Sequence, residues 1–289
     1  MTLQQWQQQG RWFHQGGYRR FYLDQGQGPV LLLIHGFPSA SWDWHPLLPQ
    51  LSRDYRVIAM DMLGFGLSDK PHPHRYRIVD QARDWQALLQ QLSIDKAHIL
   101  AHDYGDSVAQ ELLAIDPDRW LSCCFLNGGL FADAHRPLKI QTLLASPLGP
   151  LLIRFLGRRR FDASLNRIWG DQKPTTTELD TLWQLLLFNQ GRRVMPSILD
   201  YMAQRRQHQQ RWTQALVDTQ VPLKLIDGTQ DPISGHTLVQ RYRQLIADAD
   251  ISELDRVGHY PQLEAPERVL SHWRDFINRS QKQTGPAAG

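Results

Sequence analysis

Four short runs, "VLLLIH" (30–35), "RVIAMD" (56–61), "AHILAH" (97–102) and "LSCCFLN" (121–127), show little of the polar alternation expected of a strand with one wet face. Strands of this kind have to be covered on both faces, which restricts the chain to a sheet sandwiched between helices. The intervening segments can supply the cover. "SASWDWHPLLPQLSR" reads as a crossover helix, and 78–94 places Ile78, Ala82, Trp85, Leu88, Leu89 and Leu92 on one helical stripe. A further helix over 104–116 is ended by Asp116-Pro117. This strand–helix rhythm predicts an α/β architecture with a mostly parallel, doubly wound sheet. Ahead of it, "RWFHQGGYRRFYLDQGQGP" reads as a hairpin turning at Gly16-Gly17.

The rhythm breaks after Asn127-Gly128-Gly129. From 130 to 215 the chain is helix-prone and divided by Pro137, Pro147, Pro150, Pro174 and Pro196. Alternation resumes with "VPLKLIDG" (221–228), a helix near 236–247, "ADISELD" (249–255) and a last helix over 266–279. The pattern predicts a core formed by 1–129 and 216–289, with a helical cap over 130–215. Charge divides along the same line. The cap segment holds 13 Lys/Arg against 6 Asp/Glu, net +7, and the remainder 19 against 23, net −4. A basic helical surface of this kind is either simply solvated or attracts an anionic substrate or membrane surface.

Several classes are excluded. The two cysteines, Cys123 and Cys124, are sequence neighbours, so no disulfide framework exists. "MTLQQWQQQG" has neither a basic nor an apolar leader region, and no run of about 18 apolar residues occurs. The expectation is a cytoplasmic protein without a membrane span. No nucleic-acid-binding signature accompanies the basic segment.

In an open parallel sheet, reactive groups collect beyond the carboxyl ends of the strands. Four loops fall there: His35-Gly36-Phe37-Pro38, Ala101-His102-Asp103-Tyr104-Gly105, Gly228-Thr229-Gln230-Asp231-Pro232 and Gly258-His259-Tyr260-Pro261. A sharp strand-to-helix turn that exposes a nucleophile needs small residues two before and two after it. Ala101 and Gly105 satisfy this around Asp103. Ser107 also has small flanks, but it lies a turn inside the helix, where a serine-esterase reading would need it. His102 is expected to be structural, and Asp106 to serve the first turn of the helix dipole. A carboxylate is already ionised at neutral pH and can displace a leaving group from saturated carbon, giving an ester that water must then hydrolyse. His259 fits the base for that water, and Asp231 its orienting acid, with Asp227 a competing candidate. Backbone N–H groups of Phe37 and Tyr104 are the expected oxyanion hole. This chemistry calls for no metal and no cofactor, only a small-molecule substrate.

These site motifs, with Asp103 in place of serine, resemble the α/β-hydrolase superfamily in the branch of epoxide hydrolases and haloalkane dehalogenases, and the stretches "GFGLSDKPHPHRY", "LAHDYGDSVAQELL", "LNGGLF…HRPL" and "GHYPQLEAPE" resemble those of the mesoderm-specific transcript family. The mesoderm-specific transcript family is a closer resemblance, running from about Tyr18 to the final helix. The likeness implies the α/β-hydrolase fold with Asp103 as nucleophile, and it favours an epoxide as substrate, with a haloalkane as the alternative. Dehalogenases hold the departing halide with a Trp after the nucleophile, where this chain has Tyr104; Trp169, Trp183 or Trp212 would have to serve instead. Epoxide hydrolases protonate the epoxide oxygen with cap tyrosines, and the segment 130–215 offers only Tyr201. The incomplete apparatus for either substrate leaves a non-catalytic binding or regulatory protein as a second class.

Overall fold

The computed structural model describes residues 1–284. Its single sheet has eight strands: β1 (Arg11–Gln15), β2 (Tyr18–Gln25), β3 (Val30–Ile34), β4 (Arg56–Met60), β5 (Ala97–Asp103), β6 (Trp120–Gly128), β7 (Leu223–Gly228) and β8 (Ile251–Leu254). Their spatial order is β1-β2-β4-β3-β5-β6-β7-β8. The β1–β2 hairpin is antiparallel, with Gln15 opposite Tyr18, and β2 is antiparallel to β4. All later pairings are parallel.

Leu32 is paired with Ile58 on one side and Ile99 on the other, so β3 is the strand from which the chain first winds one way and then the other. The crevice beyond β3 and β5 is therefore the topological switch point, the place where an open α/β sheet binds ligands. Phe37 and Asp103 sit at its two sides. Every residue of β5 is buried, in keeping with a strand covered on both faces. The helix Ile78–Gln91 turns Ile78, Ala82, Trp85, Leu88 and Leu89 inward, the stripe read from the sequence.

The expected crossover helix at 39–53 is not continuous. A 3-10 turn at Ser41–Trp44 and a single helical turn at Leu48–Leu51 replace it. Pro46 and Pro49 remove two backbone donors within one turn and a half, which a longer helix cannot tolerate. Between β6 and β7 lie the helices Lys139–Leu144, Gly149–Leu152, Arg158–Ile168, Thr176–Leu187, Met195–Ile198 and Tyr201–Asp218, with 3-10 turns among them. The last of these runs three residues beyond 215, the point at which the sequence pattern changes. Among the described residues, no helix is long and apolar enough to cross a membrane, and no cluster of three metal-ligating side chains occurs.

Candidate active site

Asp103 closes β5 and stands at the N-terminal edge of the helix Tyr104–Ile115, with φ 48° and ψ −105°. A non-glycine residue held at positive φ costs on the order of 1–3 kcal/mol and persists only where its surroundings enforce it. The enforcement here is close packing. A Cβ on Gly105 would lie 2.4 Å from the Ile34 carbonyl oxygen and 2.7 Å from that of His35. Gly105→Ala should therefore destabilise the protein by about 1–3 kcal/mol in a denaturant titration. An unchanged midpoint would mean that the turn has room to spare.

The Phe37 N–H donates to Asp103 Oδ2 at 3.0 Å, so the first loop already touches the carboxylate. His259 Nδ1 donates to Asp231 Oδ2 at 2.8 Å. Asp231 also accepts from the Ile233 N–H at 2.8 Å, the Ser234 hydroxyl at 2.5 Å and Asn127 Nδ2 at 3.1 Å. Asp227 has no bond to His259; its Oδ1 accepts from Asn127 Nδ2 at 2.9 Å. Geometry thus separates the two candidate acids, and Asn127 holds both in place. Burial works against a charged Asp231, yet His259 and these donors outweigh it and bring its pKa to about 2. Burial likewise opposes a charged His259, but Asp231 and then Asp103 overcome it and raise the imidazole to about 9.

The loop carrying His259 is pinned from three sides. Its N–H donates to the Ile168 carbonyl at 2.8 Å. Its carbonyl accepts from His102 Nε2 at 2.7 Å. Glu264 accepts from the N–H groups of Gly258, Tyr260 and Gly170. His102 is thus a strut under the histidine loop, and burial with the nearby His259 charge lowers its pKa to about 3. His35 is structural in the same sense: Nδ1 donates to the Gly36 carbonyl and Nε2 accepts from the Met62 N–H.

One expectation needs correction and another an addition. Asp106 does lie in the first turn of its helix, but it is fully buried, and neither carboxylate oxygen has a hydrogen-bond partner among the described residues. Burial and then the Asp103 charge push its pKa well above the usual carboxylate range. The basic surface of the helical block is not uniformly solvated. Arg206 is exposed, but Arg205 is buried. Its Nη2 donates to the Asp103 carbonyl at 2.9 Å and lies 3.5 Å from Asp103 Oδ1, while Nε donates to Ser107 Oγ at 2.8 Å. Seven residues on, along the same helical face, Trp212 Nε1 donates to Glu111 at 2.7 Å. Helix Tyr201–Asp218 is therefore fastened along the helix that follows Asp103. Ser107, the alternative nucleophile, is occupied by this contact.

Sequence reasoning missed Arg205, Asn127, Glu264 and His135. The pair Gly128-Gly129 held a signal for the first. A Cβ at 128 would meet Asp106 Oδ2 at 2.1 Å, and one at 129 would meet Arg205 Nη1 at 2.1 Å. Tyr201 is fully buried, with its ring 5.8 Å from that of Phe37, 5.5 Å from Tyr104 and 4.5 Å beneath the Arg205 guanidinium. The His135 ring lies 6.4 Å from it, edge-on. The Tyr201 hydroxyl and His135 Nε2 are both buried without a hydrogen-bond partner among the described residues. Burial, then Arg205, lowers the His135 pKa to about 3, so this ring is neutral at pH 7. The tryptophans do other work: Trp169 stacks on Tyr260 at 4.4 Å, Trp183 packs on Phe161, and Trp212 is held by Glu111.

An apolar cavity of ≈ 60 Å³ reaches Phe37 and His259 and is walled by Leu144, Leu156, Leu165 and Ile168 of the helical block. A larger groove of ≈ 850 Å³ lies at the opposite end of the sheet, past Pro29, Trp120 and Pro222, and holds none of these groups.

A profile of the alpha/beta hydrolase fold matches residues 29–266. The mesoderm-specific transcript protein of Mus musculus is 38% identical over 295 residues, covering 96% of this chain and 88% of that protein. Among solved structures, haloalkane dehalogenase DbeA from Bradyrhizobium elkani superimposes with a TM-score of 0.82 at 20% identity, covering 95% of this chain and 99% of that one. Cfl2 from Burkholderia cenocepacia gives a TM-score of 0.80 at 21% identity, covering 93% of this chain and 95% of its own. Those two likenesses concern the fold; the sequence match carries the family. The doubly wound sheet, the strained turn at the switch point and the relatives that share nearly the whole chain lead to one conclusion: this protein belongs to the α/β hydrolase fold family and is an α/β-fold hydrolase.

Proposed function

We propose that the protein hydrolyses an epoxide through a covalent ester on Asp103, under a cap formed by residues 130–215. The observation that carries the reading is the pair of buried, unpartnered polar atoms, Tyr201 Oη and His135 Nε2, grouped beside the nucleophile turn. Buried polar atoms normally find partners, so two together at a reactive centre suit a ligand oxygen. One Asp103 oxygen attacks the less hindered epoxide carbon, the C–O bond breaks, and the released oxygen takes a proton from Tyr201, with neutral His135 donating a second hydrogen bond. The tyrosinate regains its proton from the His259 imidazolium once the ester has formed.

His259 then has its turn. While Asp103 is a carboxylate, its charge helps to hold His259 protonated, with a pKa of about 9. Esterification removes that charge, so the imidazolium becomes a stronger acid; its proton passes to the Tyr201 phenolate, and His259 stands neutral and basic once the ester has formed. Water deprotonated by His259 adds to the ester carbonyl, with the oxyanion stabilised by the Phe37 and Tyr104 N–H groups. The C–O bond to the substrate then breaks, the departing oxygen takes the proton from His259 and leaves as the diol, and the Asp103 carboxyl proton returns to His259. Arg205 remains as a fixed positive charge beside both steps.

The haloalkane alternative is less well supported, because Trp169, Trp183 and Trp212 are all engaged in packing or by Glu111. The direct test is one turnover of a terminal epoxide in ¹⁸O-water with enzyme in excess. The expected result is unlabelled diol and ¹⁸O in the Asp103 peptide; label in the first-turnover diol would mean direct attack by water and would sink the covalent route. Tyr201→Phe should slow ester formation by about 10²-fold or more, measured by rapid quench. An unaltered burst would remove Tyr201 from the reaction.

A further inference from the structure

The helical block carries an apolar ridge on its outer side. Leu148, Leu151 and Phe155 are 61%, 55% and 65% exposed, and Leu143 adds to the same segment. Their immediate neighbours point the other way: Leu144, Ile153 and Leu156 are buried, and Leu144 and Leu156 wall the cavity that reaches His259. This stretch is thus a thin partition with apolar side chains on both surfaces. Scattered single leucines on a protein surface need no explanation, but several large ones on one short segment do.

The charge around the ridge indicates what covers it. Residues 134–161 contain six Lys/Arg and no Asp or Glu. Arg158 is paired with Asp162 and Asp180, whereas Arg154, Arg159 and Arg160 have no carboxylate partner among the described residues. Arg160 Nη1 donates to the Phe155 carbonyl at 3.2 Å, which holds a guanidinium against the ridge. Exposed Leu and Phe flanked by arginines that have no carboxylate partner among the described residues form the two-part signal that a surface needs to rest on an anionic bilayer.

We infer that the segment from Leu143 to Arg160 docks on a lipid surface bearing anionic headgroups, with Leu148, Leu151 and Phe155 entering the acyl boundary and the arginines facing the phosphates. The partition then places the Leu144 and Leu156 wall of the apolar cavity next to the bilayer, where a lipophilic substrate is concentrated. Docking itself does not depend on which bond Asp103 attacks.

The test is co-sedimentation of the full chain with vesicles of phosphatidylcholine, with and without about 30 mol % phosphatidylglycerol, at low and high salt. The wild type should pellet with the anionic vesicles at low salt and be released by high salt. The variant Leu148→Ser/Leu151→Ser/Phe155→Ser should partition at least about tenfold less, and so should Arg154→Gln/Arg159→Gln. Melting points close to wild type would show that both variants fold; the charge variant alone decides the matter if the serine variant does not. Wild type remaining in the supernatant overturns the proposal, as does equal binding to neutral vesicles. A wild-type dimer that the serine substitutions dissolve would also overturn it, since a second copy would then be the occupant. Diol release measured on a water-soluble epoxide reads the chemistry separately, so failure to dock and failure of the epoxide reading can be told apart.

Discussion

His259→Gln should accumulate a covalent adduct on Asp103, and Asp103→Asn should form none. The first variant keeps the Asp103 carboxylate, its Phe37 donor and its Arg205 neighbour, but loses the imidazole bonded to Asp231. Alkylation then proceeds, and hydrolysis of the ester slows by about 10⁴-fold or more, the scale on which a lost base member of a triad is felt. The second variant replaces the attacking oxygen with an amide, and turnover should fall by a comparable factor. Intact-protein mass after incubation reports both outcomes. The adduct mass also identifies the bond attacked: an epoxide adds its whole mass, whereas an alkyl halide adds its mass less that of the hydrogen halide. No adduct across epoxides and halides, from a variant that binds and folds, would leave the fold as a binding protein. Asp103→Asn carries a further signature. Its imidazole should titrate below the wild-type value of about 9, because one of the carboxylates that raise it is gone. Imidazole resonances followed by NMR would show this.

Arg205→Met should be the most damaging change outside Asp103, Asp231 and His259. It keeps the bulk of the side chain but removes a buried charge bound to both the Asp103 carbonyl and Ser107. Truncating one partner of a buried pair costs about 3–5 kcal/mol, which a denaturant midpoint reads directly. Activity at pH 7 should fall by about 10²-fold, on the scale of losing one preorganised electrostatic group. The acid limb should move as well. Burial raises the Asp103 pKa, but Arg205 is the largest opposing influence and the net position lies below 3.8. A depressed carboxylate contributes stability above its unfolded pKa and loses it as pH falls through the folded one. Without Arg205 the folded pKa rises, so both activity and stability should be lost at a higher pH during acidification. Arg205→Lys should restore the acid limb in part, since the charge returns without the planar fork that spans carbonyl and hydroxyl. A Met variant with wild-type stability and an unmoved acid limb would show that the guanidinium is only a tether.

The sheet and the three triad candidates were legible because both depend on short-range patterning. Unbroken apolar runs mark strands buried on two faces, and small residues around Asp103 mark a turn that can expose it. Chain order then brought Asp231 and His259 into consideration. The crossover at 39–53 was misread because its apolar spacing suits a helix, while Pro46 and Pro49 break the backbone bonds that a helix requires. The sequence favoured Asp231 over Asp227 without excluding the latter; it is Asp231 that makes the 2.8 Å bond to His259. Arg205 looked like one of many surface cations, since no local pattern says which of two adjacent arginines will point inward.

The sequence by itself determined the winding of the sheet, the strand ends at which chemistry could gather, and an aspartate at the sharpest of those turns. These follow from interactions between residues a few positions apart. Only the tertiary structure decided that Arg205, 102 residues along the chain, lies on the Asp103 carbonyl, that Asp106 is buried without a hydrogen-bond partner among the described residues, and that Tyr201 and His135 leave polar atoms unpaired close to Asp103. Those facts depend on how the inserted helices pack over the switch point. Desolvation and unpaired polar groups arise only when distant segments exclude water together, and no periodicity along the chain records that.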